Sequence, residues 1–378
     1  MARKKEPKNT EDSGPDQSPS SLAFKFLKEN KDDHYNFEED NYKLVANSSL
    51  IMNMVLGGGM PSGAHRAVGY TSAGKTSNTL DFLFNFLKDN PKSKHFGLYV
   101  KSEGRLPQQM KERSGVKFVT NPEEWVAGTC LILESNVYET VFSFIGKLIR
   151  ENPNKNSYFF IIDSMDMMAK RDDLAKPLED SAQVAGGALI TSVFLKKTST
   201  ALAKRGHYMV FISQVRDSIQ INPYAGAQTP RQGRASGGHA LEHAGDLVLE
   251  FLPSKMDDYI LENPNDKKSK PIGHYCNIKV LKSNNETRNQ IITYPVKYGR
   301  TGGKSVWIER EVVDLMLMWN LLTKAGSWYS VDPNLIAETT EAKINLNEKY
   351  QGLDSIYSFF EENPETVEFM RKKFNAMF

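Results

Sequence analysis

Cysteine is scarce in this chain: Cys130 and Cys276 are the only two among 378 residues. Two thiols cannot build a disulfide framework, so a reducing, intracellular compartment is expected. No apolar run approaches the ~20 residues that a membrane-crossing helix needs. The basic N-terminus also lacks the apolar core of a signal peptide. Both absences point to a soluble, cytoplasmic protein with no membrane partner. An excess of one charge is missing too, because 48 Lys+Arg face 46 Asp+Glu for a net charge of +2. So weak a field neither demands nor excludes nucleic acid, and any surface for it must be a local basic strip. No solenoid-type repeat is visible.

What remains is an ordinary globular composition, 39% hydrophobic and 25% charged, long enough for one substantial core with flanking elements. Residues 1–20 are polar, rich in Pro, Ser, Lys and Asp, and read as a disordered tail. Leu22–Leu27 begins a short amphipathic stretch. An Asn- and Asp-rich linker then leads to Leu50–Leu56 and the Gly/Pro punctuation of Gly57–Gly63. Leu80, Leu83, Phe84 and Leu87 recur at helical spacing, and Val137, Val141, Phe144 and Leu148 mark a second helix. Ala188–Ala203 reads as a third. Short apolar strands alternate with them: Phe96–Val100, Thr129–Leu133, Tyr158–Ile162, His207–Ser213, Leu247–Phe251, Cys276–Leu281 and Ile291–Val296. This alternation predicts an α/β fold whose mostly parallel central sheet is covered by helices on both faces.

One motif carries specific chemistry. Gly69-Tyr70-Thr71-Ser72-Ala73-Gly74-Lys75-Thr76 fits G-x-x-x-x-G-K-[ST] at every required position, and a helical pattern starts at its end. The glycines let backbone N–H groups turn inward around phosphate, Lys75 reaches the β/γ-phosphates, and the Thr76 hydroxyl ligates Mg²⁺. The strand expected before it, His65–Val68, is short and weakly apolar. Asp163 follows the Tyr158–Ile162 strand, where a carboxylate would hold the Mg²⁺ water shell; a turn or cap residue is the plainer alternative. Glu103, just past Phe96–Val100, is a candidate to activate water, or else a solvated loop acid. Gln214 ends His207–Ser213 at the same edge, either sensing the terminal phosphate or simply closing a strand.

The segment from Arg216 to Gly238 is rich in Gly, Pro, Ser and Gln and has no helix or strand period. It carries Arg216, Arg231 and Arg234 with no acid after Asp217. Arginines on a flexible backbone suit phosphate contacts along a polymer, though a solvated loop has the same composition. Lys170–Gly187 is a second such stretch, with mixed charge and a weaker case for DNA.

Together these residues resemble the RecA recombinase family, with phage-encoded or divergent members nearest. The resemblance runs from about Leu50 to the C-terminus. It rests on Gly57–Gly63, Gly69–Thr76, Lys101–Leu106 (KSEGRL), Phe159–Ser164 (FFIIDS), Val210–Arg216 (VFISQVR) and Ser236–Leu241 (SGGHAL), in that order. Lys279–Asn284 is similar to the family's basic interface strand, and Lys324–Ser330 and Glu362–Thr366 to its small C-terminal domain. The resemblance implies a P-loop RecA-type core at 61–305, with a subunit-docking segment at 21–60. A small α+β C-terminal domain at 306–378 completes the implied organisation.

It also implies ATP and Mg²⁺ as ligands, with Gly69–Thr76 and the adjoining Ser77 around the nucleotide and Tyr298 near its base. Thr76 and Asp163 would hold the metal, while Glu103, Lys75 and Gln214 would serve hydrolysis and its coupling. Arg216, Arg231, Arg234, Gly237 and Gly238 would line DNA, and Lys282 would act at a subunit interface. Single- and double-stranded DNA, a homo-oligomeric helical filament, a single-strand-binding protein and loading mediators are the implied partners. Host cytoplasm is the implied location if the chain is phage-encoded.

Some positions depart from the family. Met110 stands where bacterial members stack a tyrosine on adenine, Glu242 and His243 replace basic and aromatic residues, and Asn284 replaces the second interface lysine. The expected function is strand exchange for homologous recombination and repair, driven by a DNA-dependent ATPase. The alternatives are a RecA-fold hexameric helicase or DNA motor, and a non-hydrolysing mediator of a true recombinase.

Overall fold

The computed structural model describes residues 18–31, 33–88, 94–104, 106–177, 186–216, 234–235, 241 and 245–377. Most of the expected tail at 1–20 lies outside these residues. The chain divides into two units, residues 1–40 and 41–378.

In the first unit, helix α1 spans Pro19–Glu29 and so begins before Leu22. Pro19 supplies a preset φ at the first turn, and the Ser18 hydroxyl accepts the Ser21 N–H at 3.3 Å. Leu22, Phe24 and Phe26 are exposed along it.

The second unit contains strands β1 (Leu44–Val45), β2 (Met60–Pro61), β3 (Gly63–Gly69), β4 (His95–Lys101), β5 (Phe118–Val119), β6 (Cys130–Glu134), β7 (Ser157–Asp163) and β8 (Tyr208–Arg216). They continue with β9 (Arg234–Ala235), β10 (Leu247–Phe251), β11 (Tyr259–Leu261), β12 (Pro271–Lys282) and β13 (Ile291–Lys297). The large sheet runs β11-β12-β10-β3-β8-β7-β4-β6-β5, with β13 on β12 and β9 on β8. From β10 to β5 every neighbouring pair is parallel, while β12 joins β10 antiparallel. This is the mostly parallel α/β sheet that the apolar strands imply.

Helices α2 (Leu50–Leu56), α3 (Lys75–Lys88), α4 (Gln108–Ser114), α5 (Tyr138–Arg150), α6 (Arg171–Ala175) and α7 (Gly186–Lys204) flank it. Along β7 and β8 the period-two alternation sends Phe159, Ile161, Val210 and Ile212 into one core with Leu80, Leu83 and Phe86 of α3. Helices α5 and α7 meet through the stacked rings of Phe142 and Phe194, 4.3 Å apart. Such double coverage explains why these strands are apolar on both faces.

β3 is longer and more deeply set than its sequence suggests, with all seven residues buried. His65 Nε2 lies 2.7 Å from the Pro61 carbonyl oxygen, and burial pulls its pKa down to about 4. A neutral, hydrogen-bonded imidazole is tolerated inside a sheet.

The C-terminal stretch holds α8 (Ile308–Met318), β14 (Leu322–Ala325), β15 (Trp328–Val331), α9 (Pro333–Glu341), β16 (Lys349–Gln351), α10 (Leu353–Glu362) and α11 (Pro364–Asn375). β14, β15 and β16 form a separate antiparallel sheet, turned at Gly326 with φ +64°. Its core includes Val312, Met316, Ile356, Phe360 and Phe374, and also Leu50 from α2. Met52 and Leu56 of the same short helix enter the main core. Helix α2 is thus shared by two cores.

Candidate nucleotide-binding site

The parallel register aligns the ends of six adjacent strands. Glu134 lies opposite Lys101, Lys101 opposite Asp163, and Asp163 opposite Ile212. Two residues further along β8, Gln214 lies opposite Gly69, which faces Phe251 of β10 on its other side. Four of the residues singled out from sequence therefore gather at one carboxyl edge, where ligands of open α/β sheets bind: Gly69, Asp163, Gln214 and, just past Lys101, Glu103.

The loop leaving β3 is shaped by backbone that only certain residues adopt. Gly69 has φ +153°, and a Cβ there would meet the Phe251 carbonyl oxygen at 2.3 Å. Ser72 and Gly74 also take positive φ, +61° and +96°. α3 begins at Lys75, its first-turn N–H groups open toward the loop. The Lys75 ammonium donates to the Gly69 and Tyr70 carbonyl oxygens at 2.8 and 2.5 Å, folding back over its own loop. Burial pulls its pKa below the ordinary lysine value, and the charges of Asp163, Asp166 and Glu103 oppose that fall. The charges of three carboxylates thus act on the cation that would meet phosphate.

Thr76 Oγ1 donates to Asp163 Oδ2 at 2.8 Å. The Tyr99 hydroxyl donates to the same oxygen at 2.6 Å from the middle of β4. Burial, and then the Asp163 charge, raise the Tyr99 pKa far above the usual phenol value, so the hydroxyl keeps its proton. Glu103 Oε2 accepts from Ser164 Oγ at 2.9 Å, and Ser102 Oγ donates to the Ser164 carbonyl at 2.6 Å. Glu103 is thereby tied to the residue after Asp163. Thr76, Tyr99, Glu103, Gly104, Leu106, Met110 and Asp163 line a cleft of 380 Å³, large enough for part of a nucleotide. Met110 sits in its wall, where an adenine-stacking tyrosine would stand in the resembled family.

Hydroxyl and carboxylate oxygens in contact are the hard donors that Mg²⁺ prefers. Among the described residues no group of three or more His, Cys, Asp or Glu could hold a metal by itself. A magnesium ion at Thr76 and Asp163 would therefore be completed by water and phosphate oxygens, its usual mode of protein binding.

Beyond Gln214, β8 continues to Arg216 and pairs antiparallel with β9, Arg216 opposite Arg234. Both ends of the intervening segment are therefore rooted at the edge that bears Gly69. Arg231, Gly237 and Gly238 lie outside the described residues, as do Glu242 and His243. Much of Lys170–Gly187 is described only at its ends, α6 and the start of α7.

Two sequence-named residues stand apart from the cleft. Tyr298 follows β13, its ring 5.5 Å from His274, and does not line the cleft. The turn after it does reach α4, where Gly302 and Gly303 donate to the Glu112 and Arg113 carbonyls. Lys282 lies opposite Val248, whereas Ile278 lies opposite Phe251 and hence level with Gly69. Four residues of strand, roughly 13 Å, carry Lys282 toward the opposite edge.

Pattern reading misses Tyr99 and Asp166. Tyr99 is hidden in an apolar strand, although a tyrosine hydroxyl buried there needs a partner. Asp166 accepts the Gln214 backbone N–H on Oδ2 at 2.7 Å.

A family model described as the RecA N-terminal domain matches residues 34–301. The chain is 23% identical to Protein RecA of Leptospira biflexa over 324 residues, 85% of this chain and 71% of the relative. Against Protein RecA of Rickettsia prowazekii the identity is 24% over 341 residues, 88% of this chain and 86% of the other. Protein RecA of Nostoc punctiforme shares 23% over 329 residues, covering 87% and 78%.

Proposed function

The chain belongs to the RecA family, and from that membership we propose that it is an ATP-dependent recombination and repair protein. It assembles on single-stranded DNA, pairs it with homologous duplex and exchanges strands. The observation that carries this reading is the pairing of Gly69 with Gln214 at one strand edge, with both roots of an arginine-bearing segment beside them.

In this reading Gly69–Thr76 and Ser77 hold the triphosphate, and Lys75 leaves its two carbonyl partners for the β/γ-phosphates. Thr76 and Asp163 hold Mg²⁺, which supplies charge neutralisation on the phosphates. Glu103 orients the attacking water. Gln214 senses the terminal phosphate, and Arg216, Arg231, Arg234, Gly237 and Gly238 close on DNA when it does so. ATP is then a conformational ligand whose hydrolysis releases the grip.

The placement of Lys282 at the edge away from its own loop favours action on a neighbouring subunit's nucleotide, and Tyr298 is assigned to the nucleotide base. Head-to-tail contacts would make the assembly a helical filament. We assign docking to 21–60, where Leu22, Phe24 and Phe26 of α1 offer exposed apolar surface, ATPase chemistry to 61–305, and a small accessory domain to 306–378. A single-strand-binding protein and loading mediators are the expected partners.

Electron microscopy of the protein on single-stranded DNA, with a slowly hydrolysed ATP analogue, tests the proposal. Filaments are expected. Rings would indicate a hexameric motor, and bare DNA a mediator that does not polymerise.

A further inference from the structure

The one-turn 3₁₀ helix Met165–Met167 follows Asp163 and leaves the sheet. β7 pairs with β8 only as far as Asp163 opposite Ile212, so Gln214 lies beyond the last strand partner on that side. There Asp166 takes the strand's place: its Oδ2 accepts the Gln214 N–H at 2.7 Å, where a continuing strand would have offered a carbonyl. Its Oδ1 is shielded from solvent and meets no donor among the described residues. The Asp166 charge also acts on Lys75, supporting the ammonium that burial disfavours. One carboxylate thus bonds the main chain from which the arginine-bearing segment departs and acts through its charge on the cation of the loop.

Resting on the proposed function, we propose that Asp166 is a positioning residue: by pinning the Gln214 main chain to the turn after Asp163, it transmits nucleotide state to the DNA-contacting segment. Its charge and its acceptor oxygen do different work. The charge acts on Lys75, the cation assigned to phosphate, and opposes anion binding. The oxygen fixes where Gln214 stands. A static strut would contribute only to stability; this contact spans the two parts that must move together.

Substitution separates the two. Asp166→Asn removes the charge but keeps an oxygen for the Gln214 N–H, whereas Asp166→Ala removes both. Without DNA, both variants should bind a fluorescent, slowly hydrolysed ATP analogue about two- to fivefold more tightly, since one negative charge has left the site. The deciding quantity is the ratio of single-stranded DNA affinity with the analogue to that without nucleotide. Asp166→Asn should hold this ratio within about twofold of the parent, and Asp166→Ala should lower it by about tenfold, the worth of one charge-assisted hydrogen bond. A parental ratio in Asp166→Ala would overturn the role of Asp166 while leaving the function intact. A ratio of one in the unaltered protein would instead strike the function itself, and this inference with it. If thermal unfolding shows that Asp166→Ala does not fold, Asp166→Glu carries the test, because it keeps the charge and displaces the oxygen by one methylene. A clear drop in its ratio is expected, and an unchanged ratio refutes the proposal.

Discussion

Gly69 and Gln214 are register partners across β3 and β8, though far apart in sequence. Gly69 is also wedged against Phe251, where no Cβ could fit. The entry to the phosphate-type loop is therefore held between two strands, one of which runs directly into the arginine-bearing segment. A shift of the loop has a short mechanical route to Gln214, because packed sheets transmit strain rather than absorb it.

Lys75→Ala should weaken binding of ATP and its analogues by about 100-fold or more, the scale of the charge-assisted bonds to phosphate that it removes. The fold should persist, because only the two bonds to the Gly69 and Tyr70 carbonyls are lost, and Tyr70 is exposed to water. Equilibrium binding of a fluorescent analogue checks this. Normal hydrolysis by the variant would refute the phosphate assignment.

Tyr99→Phe removes one of the two hydroxyl donors on Asp163 Oδ2 while keeping the ring that packs against Phe118. A stability loss of about 1 kcal/mol is expected from the missing hydrogen bond. With one anchor gone, Asp163 is less well oriented for a metal, so hydrolysis should need several-fold more Mg²⁺ to reach half its maximum. A magnesium titration of ATPase activity reads the effect directly, and an unmoved midpoint would remove Tyr99 from the site.

Arg231→Ala combined with Arg234→Ala should weaken DNA binding and lower the slope of log affinity against log salt by about 2, one unit for each phosphate no longer neutralised. ATP affinity without DNA should stay where it was. Unaltered DNA binding across a salt series would take this segment out of the interface.

How much of the fold and the site is legible in the sequence follows from how local each feature is. The Gly69–Thr76 loop and Asp163 are local signals, a fixed spacing and a strand end, and the sheet brings them together as Thr76 and Asp163 in direct contact. β3 looks weak in sequence because His65 and Arg66 read as polar, yet both are buried, and His65 is held neutral against a carbonyl. Tyr99 and Asp166 matter through partners on other strands, which no window of sequence contains. Helix α2 shows the same limit. Its apolar residues divide between two cores, and the carboxylate that caps its first turn comes from Glu311 in α8.

That cap on α2 sets a pH dependence. Glu311 Oε2 accepts the Leu50 N–H at 3.1 Å, and Oε1 accepts the Ile51 N–H at 3.1 Å and the Ser49 hydroxyl. Burial raises its pKa from 4.5 to about 7, against those three hydrogen bonds and with a small push from Asp314 on the same helix. A carboxyl that holds its proton more tightly when folded contributes stability fully below pH 4.5. That contribution drains away as pH rises through about 7, when ionisation must occur in a buried site. The shift corresponds to roughly 3 kcal/mol. Asp81, raised by burial to about 6 while bonded to Ser48 of the same segment, acts in the same direction. Glu311→Gln has nothing to titrate. It should cost stability at every pH, since its NH₂ group must face an N–H or hydroxyl donor, but it should lack this slope. The stability of the parent minus that of Glu311→Gln, from urea unfolding, should therefore fall by about 3 kcal/mol between about pH 5 and pH 8. A difference that stays flat would mean that Glu311 ionises freely where it stands, and that the cap on α2 is a charge at neutral pH.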